Sequence, residues 1–138
     1  MKVLFDINII LDVLLNREKF VELSACLMSL VEDKALEGYL CATTLTTIDY
    51  LVCKSNNKES AKQVLNKLLT LFNIAEVNKK VLKYALNSPF KDFEDAVQYY
   101  SGVNVGINCI VTRNVKDYKE SKTIIYTPIE LLSVINPK

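Results

Sequence analysis

The sequence contains no histidine. That absence rules out a Ser-His-Asp triad, a Cys-His nucleophile pair, and a histidine acid/base pair acting on an RNA 2′-hydroxyl. It also leaves any zinc site dependent on cysteine. Only four cysteines are present, Cys26, Cys41, Cys53 and Cys109, isolated and without C-x-x-C spacing. They read as small apolar core residues in a reducing compartment. Nothing near the N-terminus combines a basic segment, an apolar stretch and a small-residue cleavage site, and no apolar run approaches the roughly eighteen residues that span a bilayer. A cytoplasmic protein without signal peptide or membrane partner is expected. An excess of charge of one sign is lacking too: 17 Lys and Arg face 16 Asp and Glu, for a net charge of +1. A surface for polyanions would have to be a local patch.

Half of the 138 residues are hydrophobic and 24% are charged, the balance of a globular chain, and the length fits one domain over 1–138. Short apolar runs alternate with stretches of helical periodicity, the pattern of an α/β fold with a mainly parallel sheet. "KVLF" reads as the first strand, "GYLCA" the second, "NIAEV" the third, "INCIVTRN" the fourth and "TIIYT" the fifth. Helices are expected at about 8–16 and 20–33, and over "TTLTTIDYLVCK", entered through a capping Thr43 or Thr44. Others follow over "ESAKQVLNKLLTLF", "NKKVLKYALN", "KDFEDAVQYYSGV" and "PIELLSVI", the last with Pro128 in its first turn. The apolar side chains Val64, Leu65, Leu68, Leu69 and Phe72 are placed either in the core or at a homodimer contact.

Four acidic positions stand out. Asp6 ends the first strand in an almost wholly apolar context, at the sheet edge where α/β folds bind ligands. It either caps the next helix or serves a site, with Asn8 as a partner or merely a first-turn residue. Asp49 follows Leu45 by four and precedes Val52 by three, along an apolar stripe, so it points into a cleft or lies at the margin of the stripe in solvent. Asp92 and Asp95 are one helical turn apart, with Asp92 the natural cap and Asp95 the better site candidate. "TRNVKDY" closes the fourth strand and delivers Thr112, Arg113, Asn114 and Asp117 to the same edge as Asp6, Arg113 being either a phosphate contact or a surface charge.

These motifs, in this order and strand context over essentially the whole chain, resemble the PIN-domain nucleases, the group that includes VapC-type toxins of bacterial toxin–antitoxin pairs. "FDIN" matches the aspartate after the first strand, Asp49 the acid in the helix after the second strand, "DFEDAV" the aspartate opening a late helix, and "TRNVKDY" the closing segment. Two positions depart from the pattern: Asp49 stands where glutamate is common, and Asn114 where some members have aspartate, leaving Asp117 as the fourth acid. The resemblance implies a three-layer PIN-like fold, with a mainly parallel central sheet of four to five strands flanked by helices. It implies catalytic roles for Asp6, Asp49, Asp95 and Asp117, metal ligation by Asp6, Asp95 and Asp117, and supporting or substrate-contacting roles for Asn8, Asp92, Thr112, Arg113 and Asn114. The implied activity is endonucleolytic cleavage of RNA leaving a 5′-phosphate and a 3′-hydroxyl, with an antitoxin protein as partner and a homodimer as the assembly.

Elementary electrostatics agrees with a metal. Two carboxylates about 5 Å apart repel by roughly 3 kcal/mol at an effective dielectric near 20, so a group of them must protonate or hold a cation. Oxygen-only donors favour Mg²⁺ or Mn²⁺. Two other readings compete. One is a PIN-like module that binds RNA or protein after catalysis has decayed. The other is an aspartate-nucleophile, Mg²⁺-dependent phosphatase, which argues poorly from Asp6-Ile7-Asn8 because such enzymes carry a second aspartate two residues on.

Overall fold

The computed structural model describes residues 1–136, so the last two residues of the span assigned to the domain lie outside the described residues. Five strands form the sheet: β1 (Lys2–Phe5), β2 (Glu37–Cys41), β3 (Asn73–Ala75), β4 (Cys109–Val111) and β5 (Ile124–Tyr126). Every pairing is parallel and the order is β3-β2-β1-β4-β5. Seven helices flank them: α1 (Ile7–Leu14), α2 (Val21–Glu32), α3 (Ala42–Ser55), α4 (Lys58–Leu71), α5 (Lys79–Leu86), α6 (Phe93–Asn104) and α7 (Pro128–Ile135). A single 3-10 turn, Val115–Tyr118, follows β4.

A parallel sheet is covered on both faces, so its strands are continuous apolar runs. In β1, Val3 and Phe5 face one side and join side chains from α1, α2, α3, α4 and α7. Leu4 faces the other, with Tyr99 of α6 and Tyr118 of the turn. Val81 and Ala85 of α5 pack with Ala96 and Val97 of α6 on that second face. On α4, Leu68 and Phe72 just beyond it are buried and Val64 and Leu65 pack on the core, whereas Leu69 is 51% exposed. Most of that helix's apolar stripe therefore belongs to the core.

Helix starts follow capping chemistry. Asn57, Asn78 and Asp92 each accept a backbone N–H of the first turn of α4, α5 and α6, and Thr127 with Glu130 forms a full capping box on α7. The threonine cap expected for α3 is absent. Strand β2 runs straight into that helix with Cys41 at the cap position and no side-chain cap, so Thr43 and Thr44 fall inside the first turn.

Strand order changes direction at β1, because β2 lies on one side of it and β4 on the other. The crevice beyond the carboxyl ends of these central strands is where such sheets accept ligands. Two backbone bonds extend the ladder to that edge: Asp6 N–H to the Val111 carbonyl (3.0 Å) and Thr112 N–H to the Tyr126 carbonyl (2.9 Å). They fix Asp6 and Thr112 side by side.

Candidate active site

Asp6 is at the N-cap position of α1, yet its side chain makes no capping bond. Its carboxylate is turned inward and is 5% exposed. The Thr112 hydroxyl donates to Oδ2 at 2.6 Å, and Gln98 Nε2 donates to Oδ1 at 3.4 Å. Burial raises the Asp6 pKa above the usual carboxylate value, the hydrogen bonds from Thr112 and Gln98 oppose that, and Asp117 adds a smaller upward push.

Gln98 ties three elements together. Besides Asp6 on the β1 edge, its amide nitrogen donates to the Tyr118 hydroxyl, and its carbonyl oxygen accepts from Thr44 of α3 (3.3 Å). Tyr118 is buried against Phe90. Burial first, and the neighbouring Asp6 and Asp95 next, hold its phenol far above the ordinary tyrosine value, so it stays protonated.

Asp95 enters from the first turn of α6, where Asp92 Oδ1 accepts its backbone N–H at 3.0 Å. The positive end of a helix favours a carboxylate. Here that preference is outweighed: partial burial, then the charges of Asp92, Asp117, Asp6 and Glu94, push the Asp95 pKa up to about 7. Asp117, on the exposed 3-10 turn, is brought to the same edge because Tyr118 anchors that turn. Two clefts meet here. One, of about 140 Å³, is lined by Asp6, Thr43, Thr44, Thr47, Asp92, Glu94, Asp95 and Gln98 among others. The second, of about 430 Å³, shares Asp92 and Asp95 and adds Asp117.

The structure thus gathers Asp6, Asp92, Asp95 and Asp117 and leaves Asp49 outside. The buried side of α3 runs through Thr44, Ile48 and Val52. Asp49 lies one residue on from Ile48, about 100° round the helix, and is exposed, with only the Cys53 thiol against it at 3.7 Å. Thr44 and Thr47 hold the cleft-facing positions instead. Arg113, read as either a phosphate contact or a surface charge, is engaged within the protein. It grips fully buried Asp12 through two bonds of 2.9 and 3.0 Å and stacks on Phe20 at 3.8 Å. Thr112 serves Asp6 directly, while exposed Asn114 donates its backbone N–H to the Thr112 hydroxyl (3.0 Å) and leads into the turn. Asn8 is half-buried in the first turn of α1 and is not among the residues lining either cleft.

Gln98 and Asp12 went unnoticed in the sequence, Thr44 was read only as a helix cap, and Tyr118 only as part of the closing "TRNVKDY" segment. Gln98 carried a faint signal: a polar side chain one turn after Asp95, within the apolar start of α6.

An all-parallel five-stranded sheet, with acids collected at its switch point, defines the class. The PIN domain family profile matches residues 2–116, and the chain belongs to that family. No curated protein matched it. Among solved structures, the fold is shared with the VapBC2 complex of Rickettsia felis bound to a DNA fragment from its promoter (TM-score 0.69, 18% identity, 92% of this chain and 98% of that chain). It is also shared with a toxin-antitoxin complex from Klebsiella pneumoniae (0.68, 18%, 91% and 97%). A third likeness is to VapBC-1 from nontypeable Haemophilus influenzae (0.67, 14%, 94% and 99%).

Proposed function

We propose that this PIN-domain chain, read as one unit over 1–138, is a divalent-metal-dependent endoribonuclease and the toxin of a toxin–antitoxin pair, acting in the cytoplasm. One observation carries the reading: Asp6, Asp92, Asp95 and Asp117 line two adjoining clefts at the switch-point edge, where burial first and their mutual charges next push the Asp95 pKa up to about 7. A protein gains nothing in stability from such crowding. A cation would relieve it.

The donor chemistry fits Mg²⁺ or Mn²⁺. Among the described residues no three acidic or cysteine side chains stand close enough to share one ion, but Mg²⁺ keeps several waters and needs only one or two carboxylates. Asp6, Asp95 and Asp117 are the residues that would hold it, not all directly but partly through its retained waters. When bound, the ion would lower the pKa of a coordinated water and offset charge on phosphate oxygens. Thr112 and Gln98 each occupy one oxygen of Asp6 and so fix the plane of its carboxylate. Their hydrogen bonds favour its charged form, which is the form a cation requires.

The fold neighbours are toxin–antitoxin complexes, which supports an antitoxin as partner. A homodimer belongs to the same reading, through exposed apolar side chains such as Leu82 and Leu86, since the α4 stripe is largely consumed by the core. Purified protein incubated with single-stranded RNA and Mn²⁺ is expected to leave 5′-phosphate ends, with cleavage lost in EDTA and in Asp6→Asn. Cleavage that survives both treatments would refute the metal-nuclease reading. The binding-module alternative is favoured by the outward position of Asp49 and would show as RNA binding with no metal-dependent cleavage.

A further inference from the structure

The two clefts that share Asp92 and Asp95 differ in charge. The cleft beneath Asp6 has acids, threonines and Gln98 on its walls and neither lysine nor arginine. Its neighbour adds Lys91, Lys116 and Lys119. Among the described residues the only salt bridges are those of Arg17 and Arg113 with Asp12, so these three lysines stand unpaired beside several carboxylates. The 3-10 geometry explains part of the pattern: side chains at i and i+3 eclipse, which sets Lys116 and Lys119 on one side of the turn, while Lys91 faces them from the residue before the α6 cap. A phosphodiester is repelled by the first cleft unless a cation is present there. The second cleft offers it three ammonium groups, set among the carboxylates of Asp92, Asp95, Asp117 and Glu120.

We infer that the lysine-bearing cleft is a binding subsite for a backbone phosphate of single-stranded RNA, one flanking the bond to be cut, with Lys116 and Lys119 as its principal contacts. The place of this subsite in catalysis rests on the nuclease reading; the binding itself does not. Lysines line only the second of the two clefts, so the flanking phosphate is placed there, beside the carboxylates that would hold the cation, and Asp92 and Asp95 border both.

The test uses Asp95→Asn protein, to prevent cleavage, and a fluorescein-labelled single-stranded RNA followed by anisotropy across a salt series. Adding Lys116→Ala and Lys119→Ala should weaken binding about tenfold and make the salt dependence shallower, by about 0.7 in log-log slope for one lost phosphate contact. Lys58→Ala with Lys62→Ala, on α4 across the sheet, should change neither quantity. Unchanged affinity and slope in the Lys116/Lys119 variant, or an equal loss in the α4 pair, overturns the subsite. In otherwise unmodified protein the same lysine pair should raise KM with little change in kcat. If the unmodified protein cuts no RNA, the nuclease reading falls, and the anisotropy series still decides the subsite.

Discussion

Asp95 shows how strongly a side chain can be set against its own ionisation. Its folded pKa of about 7 lies above the unfolded value of about 3.9. The native state therefore holds the proton more tightly than the unfolded chain. Without metal, this residue's contribution to stability is most favourable below about pH 4, falls as the pH rises towards 7 and is fully lost above that. Urea unfolding in EDTA at about pH 5 and about pH 8 should show Asp95→Asn gaining more stability relative to the parent at the higher pH than at the lower. An equal difference at both values would mean that the crowding is not felt. Gln98→Leu is expected to act in the opposite sense, because it removes a hydrogen-bond donor from Asp6 and leaves Tyr118 and Thr44 short of a partner. A loss of about 1–3 kcal/mol by chemical denaturation is expected. Asp6 and Asp95 could be picked out in the sequence because each sits where an apolar strand or a helix start makes a carboxylate conspicuous. Gln98 showed only as an out-of-place polar residue, since its role depends on Asp6, 92 residues away in sequence.

Helix α3 and the Asp12 cluster carry the lesson at the scale of elements. Periodicity placed Asp49 on a stripe defined by Leu45 and Val52, but a stripe has two margins and the helix can roll towards either. Burial of Thr44 and Ile48 decides the roll and turns Asp49 to solvent. Asp49→Asn should accordingly leave RNA cleavage within about twofold of the parent, a difference under ~0.5 kcal/mol, and a hundredfold loss would restore it to the site. Arg113 stayed open between a phosphate contact and a surface charge for another reason. A cation beside a presumed cleft suggests phosphate, whereas its real partner, Asp12, was hidden inside an amphipathic helix that looked ordinary. The pair links α1 to the loop after β4, and Arg17 and Ser24 complete the set around the same carboxylate. Arg113→Met leaves that buried charge with much weaker compensation and should cost about 3–5 kcal/mol, measured as a fall in the urea midpoint. Strands and helices themselves were readable almost throughout, because both signals are local: apolar runs of a few residues, helical periodicity, and helix-start residues such as Asp92 and Pro128. The 3-10 turn over Val115–Tyr118 was not, since its reason for existing is the distant anchor of Tyr118.

For the molecule as a whole, the expected response to metal is global. Mn²⁺ should raise the unfolding temperature by mass action, equivalent to about 2.7 kcal/mol at a hundredfold excess over its dissociation constant, and Asp6→Asn should abolish the rise. A parent protein indifferent to millimolar Mn²⁺ would argue for the binding module. The order of the sheet carries a further consequence in time. The middle strand β1 precedes its neighbour β4 in the chain, and Thr112 meets Asp6 across 106 residues of sequence. Synthesis runs from the N-terminus at about 5–20 residues per second, so Asp6 waits for that whole stretch to be made before the partners that complete its surroundings exist. On the nuclease reading, a growing chain is harmless to its own messenger until that stretch has emerged.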